Sequence, residues 1–423
     1  MKKIRIGVLG AYRGTSMINY SAAANNAEIV AICDKSNKAL EIQKKAFPDK
    51  DITYYKDFDE FIKHDMDAVV LANYATEHAP FAIKAMKAGK HVFSEVLPVQ
   101  TLKEAVELIE CVEETGMSYV YGENYCYFPG TREMKKLYKE DKIGEFEYGE
   151  CEYVHNCEPI WPDITYGEED HWRNRMYANF YCTHSIGPII HITGLRPVSV
   201  VGFESTMNER GLRSGRKGAL VGMEIITLEN GGIIKSLHGD LYNGNVWYFV
   251  SGAKGRMETS REIAVDGGIA TIHVVSDKYS GEYPDNNIAE GQKRIEKYEP
   301  EILNKARSFG HGGSDYYTMY NFCEKLLGNK EADCIDVYEA VNMFLPGMLG
   351  YRSVLKGNVP VEIPDLRIKE ERDKVRNNTA CVDPKVAGDM LLPTTSKGTP
   401  EISQDVYDTV RETFKERMKN QEK

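Results

Sequence analysis

Two glycines near the start of the chain could bind a pyrophosphate. An apolar run over 4–9 ends in a turn that contains Gly10 and Gly14, and a segment with helical character follows. In the order strand, tight turn and helix, backbone N–H groups and the positive end of the helix face the phosphates. The full G-x-G-x-x-G pattern is absent because Tyr12 lies between the glycines, and glycines also occur in ordinary turns. We count Tyr12, Arg13 and Thr15 of this turn with them as cofactor-binding candidates.

An acidic residue, Asp34, ends the next predicted strand, about 20 residues beyond the glycine turn. A carboxylate there could accept hydrogen bonds from the adenosine ribose, and its charge would repel the 2′-phosphate of NADP. The alternative is an N-cap for the helix that begins near Ser36. The spacing favours the nucleotide role and NAD over NADP, a preference that Lys35 and Lys38 could soften.

A stretch rich in aromatic and charged residues lies in the middle of the chain. Arg173 and Arg175 could contact the hydroxyl or carboxylate groups of a sugar, with the indole of Trp172 as a stacking face. The alternative is a solvated charged loop, which we favour slightly for Arg175.

Later, His311 is flanked by glycines at 310, 312 and 313, so the backbone there can approach a ligand closely. Asp315 could orient His311, or it could stabilise the first turn of the helix that follows. A ligand site and a capped loop are both open at this point.

Strand and helix patterns alternate over the first third of the chain. Continuous apolar runs such as 68–72 are typical of strands buried on both faces. Thr101 and Glu104 form a capping box that starts a helix, and Gly116 ends it. We predict a doubly wound parallel α/β sheet of six strands over 1–122, with its ligand at the carboxyl ends of the strands. Five strands can be placed, at 4–9, 28–34, 68–72, 91–95 and 118–121.

Beyond residue 122 the pattern becomes α+β. Strands are predicted at 145–154, 198–204, 222–228, 232–238 and 247–251, and helices at 131–140, 185–193, 314–327 and 335–349. Asn230-Gly231 is a strong hairpin signal. We predict an open, mostly antiparallel sheet in a substrate-binding and oligomerisation domain over 123–365, followed by a charged peripheral tail over 366–423. One sheet face would cover cofactor and substrate, and the other would pack on a second subunit in a homodimer or homotetramer.

Length and composition narrow the functional classes. A chain of 423 residues predicts two domains, and 42% apolar residues suffice for their cores. The net charge of −11 argues against nucleic acid as a partner. No apolar stretch approaches the roughly 20 residues of a membrane span, and the opening strand pattern is unlike a signal peptide.

The cysteines predict a reducing environment. Nine of them are scattered without a C-x-x-C pair, so we expect reduced thiols and a cytoplasmic location. A zinc site from His155, Cys157 and Glu158 lacks a second ligand pair at familiar spacing, so no metal is expected.

Several of these stretches together resemble the Gfo/Idh/MocA oxidoreductases. The resemblance rests on the glycine turn, Asp34, the loop 72–78, the run 88–95, and the segments 335–340 and 359–365. It implies an N-terminal Rossmann domain, a C-terminal α/β domain with an open sheet, bound NAD(P) and a sugar-like substrate. It also implies cofactor contacts for a set of polar and loop residues: Asn73, His78, Glu95, Val96 and Asn124.

Two departures from that family are informative. Its typical dehydrogenases carry Glu-Lys-Pro after the fifth strand, where the lysine assists proton transfer, but this chain has Glu95-Val96-Leu97. The usual Asp-x-x-x-His pair is replaced by Tyr-Cys-Thr-His over 181–184. Both features, with Gly-His-Gly-Gly-Ser-Asp over 310–315, resemble the NAD-dependent glycosidases typified by α-N-acetylgalactosaminidases, although Cys182 replaces a proline.

That subgroup implies a redox-neutral glycoside cleavage. NAD⁺ takes a hydride from C3 of the sugar, and the resulting ketone acidifies the C2 hydrogen so that a base can remove it and expel the group at C1. Water then adds, and the same NADH returns the hydride. Such a route needs a proton shuttle for the C3 hydroxyl, a base for C2, and donors for the ketone oxygen.

The resemblance assigns these roles to particular side chains. His184 is the candidate shuttle, since a neutral imidazole could take the hydroxyl proton, although it could also simply pack at a helix start. Tyr125 or Tyr127 is the candidate base, with Tyr181 as a competitor, but most of the 26 tyrosines must be packing residues. His311 and Asp315 join the catalytic candidates, and Thr183 joins the substrate contacts.

Two other functions stay open at this stage. One is a net NAD-dependent sugar or cyclitol dehydrogenase in which another group replaces the lysine. The other is a non-catalytic sugar or nucleotide sensor that retains the fold. Fold resemblance by itself does not decide among the three.

Overall fold

The computed structural model describes residues 2–261, 271–276, 305–306 and 308–421. Fourteen strands lie within these ranges: β1 Ile4–Leu9, β2 Ala27–Cys33, β3 Thr53–Tyr55, β4 Ala68–Leu71, β5 His91–Ser94, β6 Tyr119–Tyr121, β7 Phe146–Val154, β8 Pro197–Glu204, β9 Val221–Leu228, β10 Ile233–Gly239, β11 Asn245–Gly252, β12 Gly255–Thr259, β13 Ile272–Ser276 and β14 Val361–Glu362.

The α-helices of the described ranges follow in chain order: α1 Thr15–Ala23, α2 Asn37–Ala46, α3 Phe58–Phe61, α4 His78–Lys87, α5 Leu102–Thr115, α6 Pro129–Lys139, α7 Trp161–Thr165, α8 Thr183–Thr193, α9 Glu209–Arg213, α10 Ser314–Leu326, α11 Val337–Leu355, α12 Lys369–Val375, α13 Pro384–Ala387 and α14 Gln404–Gln421. Within the described parts of the chain, every helix is too short or too polar to cross a bilayer. The cytoplasmic location stays a prediction.

The chain divides into two compact units whose segments alternate along the sequence. Of the described residues, the first unit holds 2–132, 305–306, 308–341 and 366–377. The second holds 133–261, 271–276, 342–365 and 378–421. The sequence suggested linear boundaries at 122 and 365, and this division differs from them because later helices return to complete the core of the first unit.

The first unit contains a six-stranded parallel sheet in the order β3-β2-β1-β4-β5-β6. This confirms the predicted doubly wound sheet. All four residues of β4 are buried, as a strand covered on both faces requires. Thr101 accepts a hydrogen bond from the Glu104 N–H at the start of α5, and Gly116 ends that helix at φ 64°. Six strands were predicted and five were located in the sequence. The remaining one is the short edge strand β3.

Helices from late in the chain complete this core. Met319, Phe322 and Cys323 of α10 are buried in one cluster with Ile6 and Val8 of β1. The apolar face of α10 therefore packs on the six-stranded sheet of the first unit. About 300 residues separate α10 from β1 in sequence.

The segment predicted to be a peripheral tail is packed. Arg376, directly after α12, makes a bidentate ion pair with Glu110 of α5, with N–O distances of 2.6 and 2.8 Å. In the second unit, Tyr407 of α14 is 1% exposed and donates a hydrogen bond to the Gly215 carbonyl at 3.0 Å. The prediction of a peripheral tail over 366–423 is therefore wrong for both units. The charged residues of this segment suggested a solvated tail, because a sequence does not distinguish solvated charges from charges paired with distant elements.

The second unit is built on an eight-stranded sheet in the order β13-β12-β11-β7-β10-β9-β8-β14. Every neighbouring pair is antiparallel except β7 with β10, so the sheet is mixed and mostly antiparallel, as predicted. The Asn230-Gly231 hairpin is confirmed between β9 and β10. Gly231 has φ 88° there, and the Leu228 N–H bonds to the Gly232 carbonyl at 2.8 Å. Helix α8 packs against β7, β10 and β11.

Candidate functional site

The glycine turn after β1 has the backbone of a phosphate-binding loop. Gly10 has φ 97°, and a Cβ there would lie 2.3 Å from the Ala72 carbonyl oxygen. A Cβ on Gly14 would lie 2.4 Å from the Gly10 carbonyl oxygen. No side chain caps the N-terminus of α1, and its first turn holds no acidic residue. Both features leave the positive end of the helix available to an anion.

The remaining turn residues support this loop. The Thr15 hydroxyl donates to the Tyr12 carbonyl at 2.8 Å and accepts from the Gln43 amide at 3.2 Å. The Tyr12 ring is 43% exposed, so it does not fill the space inside the turn. The helix-cap alternative for Asp34 is not what the structure shows, because Ser36 caps α2. Asp34 instead accepts from the N–H groups of Ala11 and Ser36, both at 2.7 Å, which ties the end of β2 to the glycine turn.

Five residues that lie far apart in sequence meet in the first unit around Arg13. The Arg13 guanidinium contacts Glu95 Oε1 at 2.7 Å and Asp315 Oδ2 at 3.2 Å. Asp315 also accepts from Asn124 Nδ2 at 2.9 Å and from His311 Nδ1 at 3.1 Å. We call this group the Arg13 cluster. It unites a residue of the glycine turn with the ends of two strands and the start of α10.

The two carboxylates of the Arg13 cluster have their pKa values pushed apart. Burial raises the pKa of Glu95 to about 7, although the charge of Arg13 opposes the shift. Burial would also raise the pKa of Asp315, but the hydrogen bond from His311, the charge of Arg13 and the Asn124 amide together hold it below its usual range. Glu95 can therefore exchange a proton near neutral pH, while Asp315 stays ionised.

His311 is held in a strained loop. It adopts φ 52°, uncommon for a residue with a side chain, and the two glycines that follow it, 312 and 313, have φ 61° and 100°. Its side chain is 41% exposed, and its Nδ1–H is committed to Asp315. The predicted orientation of His311 by Asp315 is what the geometry shows, and Nε2 is left for another partner.

Two predicted site residues of the first unit have structural roles instead. The Tyr127 hydroxyl is buried and donates to the Asp333 carbonyl at 2.7 Å, and burial raises its pKa well above the usual value. It is therefore unsuited as a base. His78 is 1% exposed, its Nδ1–H donates to the Leu97 carbonyl at 2.9 Å, and burial lowers its pKa to about 4. We assign His78 to holding the loop after β5 rather than to a cofactor contact.

The other candidates of the first unit lie at strand ends. Asn73 follows β4 and donates to Glu77 Oε2 at 3.1 Å. Val96 follows β5 and is 8% exposed. Tyr125 follows β6, is 8% exposed, and packs edge-on against Phe128 with ring centroids 5.0 Å apart. Because parallel strands end at one edge of the sheet, these positions share the predicted ligand edge.

In the second unit, aromatic rings surround His184. The Tyr153 and Tyr181 rings meet it edge-on, with centroids at 4.8 and 5.1 Å. The Tyr248 hydroxyl donates to the His184 carbonyl, which fixes the first turn of α8. His184 is 6% exposed. A histidine with two phenol rings at its edges can exchange a proton with a bound hydroxyl group while its ring orientation is kept.

The polar and aromatic stretch lies beside this histidine within the same unit. The Arg173 guanidinium stacks over the Trp172 ring at 4.5 Å and lies 5.5 Å from the Tyr181 ring centroid. Arg175 instead pairs with the exposed Asp170 at 3.4 Å, which supports the solvated interpretation for that residue. Thr183 is 0% exposed, so the predicted sugar contact is corrected: no surface of this residue is available to a ligand.

Sequence reasoning missed Tyr153 and Tyr248. Both lie on strands, β7 and β11, and only the packing of α8 on the sheet brings them to His184. An aromatic residue near the end of a strand was the one available signal. Cys182, in place of the family's proline, is fully buried, with Sγ 3.5 Å from the Met343 carbonyl oxygen. The thiol therefore anchors the start of α8 to α11.

The residues of the zinc site considered in the sequence analysis, His155, Cys157 and Glu158, contact other groups. Glu158 pairs with Arg210 and Arg213, and Cys157 Sγ lies 3.5 Å from His155 Nδ1. Among the described residues, no group of three potential ligands could hold a metal ion. All nine cysteines are free thiols.

Models of two known protein families match separate parts of the chain. Residues 4–123 match the model of the Gfo/Idh/MocA oxidoreductase family, an NAD-binding Rossmann fold. Residues 245–370 match the model of the C-terminal domain of glycosyl hydrolase 109. The chain joins a Gfo/Idh/MocA NAD-binding domain to a glycosyl hydrolase 109 C-terminal domain. The resemblance inferred from the motifs is confirmed.

Relatives that align over most of the chain are named for glycosyl hydrolase family 109. The chain is 27% identical over 404 residues to a glycosyl hydrolase family 109 protein of Solibacter usitatus, covering 86% of this chain and 88% of that protein. It is 24% identical over 417 residues to glycosyl hydrolase family 109 protein 1 of Bacteroides thetaiotaomicron, covering 86% and 85%.

Solved structures share the fold at low identity. Scyllo-inositol dehydrogenase from Lactobacillus casei, with NAD(H) and scyllo-inositol, aligns at a TM-score of 0.65 and 18% identity, covering 85% of this chain and 99% of that one. The WlbA dehydrogenase from Bordetella pertussis, with NADH and UDP-GlcNAcA, aligns at 0.66 and 20%, covering 86% and 98%.

The residues of the Gfo/Idh/MocA domain fit NAD. A Cβ at Gly10 or Gly14 would collide with a backbone carbonyl, so the turn keeps this conformation only with glycine, and the uncapped N-terminus of α1 follows directly. The pyrophosphate would lie on this turn and the adenosine ribose at Asp34, whose charge opposes a 2′-phosphate. Asn73, Glu95 and Asn124 follow the carboxyl ends of β4, β5 and β6 in the same domain.

Proposed function

We propose that this protein is an NAD-dependent carbohydrate-active enzyme that cleaves a glycosidic bond without net oxidation. The observation that carries the proposal is the group around His184, where an imidazole, two phenol rings and an arginine stacked on an indole meet in one unit. Indole and guanidinium surfaces suit a sugar ring and its hydroxyls, and the imidazole suits proton transfer. The glycosyl hydrolase 109 relatives support the same function.

NAD⁺, when bound, would supply a reversible hydride acceptor for C3 of the sugar. The chain must then provide the proton transfers. In our proposal His184 takes the proton of the C3 hydroxyl, and Tyr181 or Tyr125 takes the C2 proton. Val96, in place of a lysine, removes the usual shuttle of the family's dehydrogenases, so the burden falls on His184.

The test monitors the two products separately. Purified protein is incubated with a panel of p-nitrophenyl α- and β-glycosides, including 2-acetamido-2-deoxygalactosides, while nitrophenolate and NADH are read at their own wavelengths. We expect nitrophenolate release without NADH accumulation, and deuterium at C2 of the sugar when the reaction runs in D₂O. Protein stripped of NAD is the control and should regain activity when NAD⁺ is added.

Two results would contradict the proposal. NADH that accumulates with free sugars would identify the alternative, a net sugar or cyclitol dehydrogenase. Nucleotide and sugar binding with neither product, unchanged in the His184→Ala variant, would identify a sensor.

We also propose that the protein forms a homo-oligomer through the outer face of the second unit's sheet. Phe203 on β8, Ile225 on β9 and Leu237 on β10 all lie on that face, and Phe203 is 37% exposed. On the same face Lys235, the cross-strand neighbour of Ile225, pairs with Glu150 of β7, so an ion pair borders the apolar residues. An apolar surface rimmed by ion pairs is typical of a protein interface.

Substituting Ile225→Arg should dissociate the oligomer, because it places a further positive charge among the apolar residues of this face, directly opposite Lys235. Sedimentation velocity measures the result. Ile42→Arg is the matched control, since Ile42 is 45% exposed on α2 of the first unit. A monomeric native protein, or an Ile225→Arg variant that keeps the native sedimentation coefficient, would contradict the proposed interface.

A further inference from the structure

Helix α14 contacts the segment that carries the candidate sugar-binding residues. Arg417 Nη1 donates to Asp163 Oδ2 and to the Pro159 carbonyl, both at 2.7 Å. Arg411 Nη2 donates to the Gly167 carbonyl at 3.1 Å. A Cβ on Gly167 would lie 2.4 Å from the Arg411 backbone nitrogen, so helix and segment approach closely. All these residues belong to the second unit.

A row of rings leads from α14 to the Trp172–Arg173 pair. The Phe414 ring meets the Tyr166 ring with centroids 5.3 Å apart, and Tyr166 meets His171 edge-on at 6.0 Å. His171 stacks on Trp172 at 5.9 Å, and Arg173 covers Trp172 at 4.5 Å. Each ring is in contact with the next, so a change at Phe414 reaches the indole through packing.

His171 is the pivot of this row. It is 3% exposed, and its Nδ1 accepts the N–H of Arg173 at 3.3 Å, which caps the short turn over 172–175. Burial lowers the pKa of His171 to about 3, so the ring stays neutral and keeps this acceptor nitrogen. The orientation of His171 therefore sets both the backbone and the stacking surface of the Trp172–Arg173 pair.

A second anchor holds the same segment from its inner side. Trp161 Nε1 donates to Asn174 Oδ1 at 3.1 Å, and Arg216 stacks on the Trp161 ring at 3.6 Å. The segment therefore has contacts that do not depend on α14. Loss of one α14 contact should loosen the outer part, 163–173, without unfolding the unit.

We propose that α14 is a clamp that positions Trp172 and Arg173 for the sugar, with Phe414 and Arg417 as positioning residues. The proposal rests on the proposed function only for the identity of the ligand. Residues 404–421 lie outside both matched family ranges. The clamp therefore lies outside the parts of the chain that the two family models describe.

The test compares three variants of the full-length holoenzyme. Phe414→Ala removes the ring contact, Phe414→Leu restores apolar bulk, and Lys415→Ala is the matched control, because Lys415 is exposed and pairs with Glu412 on its own helix. Hydrogen exchange of the amides over 163–173 is measured with the KM and kcat for the best p-nitrophenyl glycoside of the panel.

For Phe414→Ala we expect amide exchange over 163–173 to be about tenfold faster and KM to rise about fivefold, with kcat and bound NAD unchanged. Phe414→Leu should recover most of both effects, and Lys415→Ala should match the native enzyme. Unchanged exchange in Phe414→Ala would overturn the clamp, as would faster exchange with an unchanged KM. If the native enzyme cleaves none of the glycosides, the proposed function fails, and the exchange measurement alone decides whether α14 holds the segment.

Discussion

Replacing His184 with glutamine is expected to lower kcat for glycoside cleavage about 10³-fold, since general acid–base catalysis contributes 10²- to 10⁴-fold. Glutamine can still donate and accept hydrogen bonds, but it cannot carry a proton. The Tyr153 and Tyr181 rings and the Tyr248 hydroxyl hold the backbone and ring space of this position, so the variant should fold normally. Deuterium incorporation at C2 should fall in parallel, because it requires the oxidised sugar.

Steady-state kinetics measures this effect. The variant should retain its NAD, so that the loss of kcat is not a loss of cofactor. His64→Gln is the matched control, because His64 pairs with the Tyr55 hydroxyl at 3.0 Å in the first unit. A kcat within threefold of native would show that His184 only packs.

Replacing Asp315 with asparagine is expected to lower the free energy of unfolding of the NAD-free protein by about 3 kcal/mol at pH 7. Asp315 is 1% exposed and is the common acceptor for Arg13, His311 and Asn124. Asparagine keeps the shape but removes the charge that balances Arg13. The retained amount of NAD should fall too, because Arg13 belongs to the glycine turn.

The stability difference between the native protein and Asp315→Asn should depend on pH in a defined direction. The pKa of Asp315 is lowered in the folded protein, so its contribution is fully present above the usual pKa of about 4 and is lost as pH falls below it. The difference between native and variant should therefore stay constant from pH 7 down to about pH 4 and begin to narrow only below about pH 4 in urea titrations.

Asp65→Asn is the matched control for Asp315→Asn. It breaks the Arg5–Asp65 ion pair, in which Asp65 is 90% exposed, and should leave the unfolding transition unchanged because solvent screens that pair. If both substitutions lowered the free energy of unfolding equally at all pH values, burial of the Arg13 cluster would not add to its contribution to stability.

Local structure was readable from the sequence wherever neighbouring residues determine it. The strands β1, β2, β4, β5 and β6, the Thr101 cap, the Gly116 end and the Asn230-Gly231 hairpin depend on apolar runs and on backbone preferences within a few residues. The need for glycine at positions 10 and 14 was visible for the same reason. The family signatures extended this to NAD and to the two-domain organisation.

Tertiary structure alone decided which candidates belong together. Arg13 lies 82 residues from Glu95 and 302 from Asp315 in sequence, and only the return of α10 to the first sheet joins them. Tyr127 and Thr183 looked like site residues until burial showed their hydroxyls or surfaces to be unavailable. Tyr153 and α14 looked unremarkable until packing placed them beside His184 and the Trp172 segment. Local patterns encode backbone conformation, whereas burial and partners arise from contacts between distant segments, which no single stretch of sequence contains.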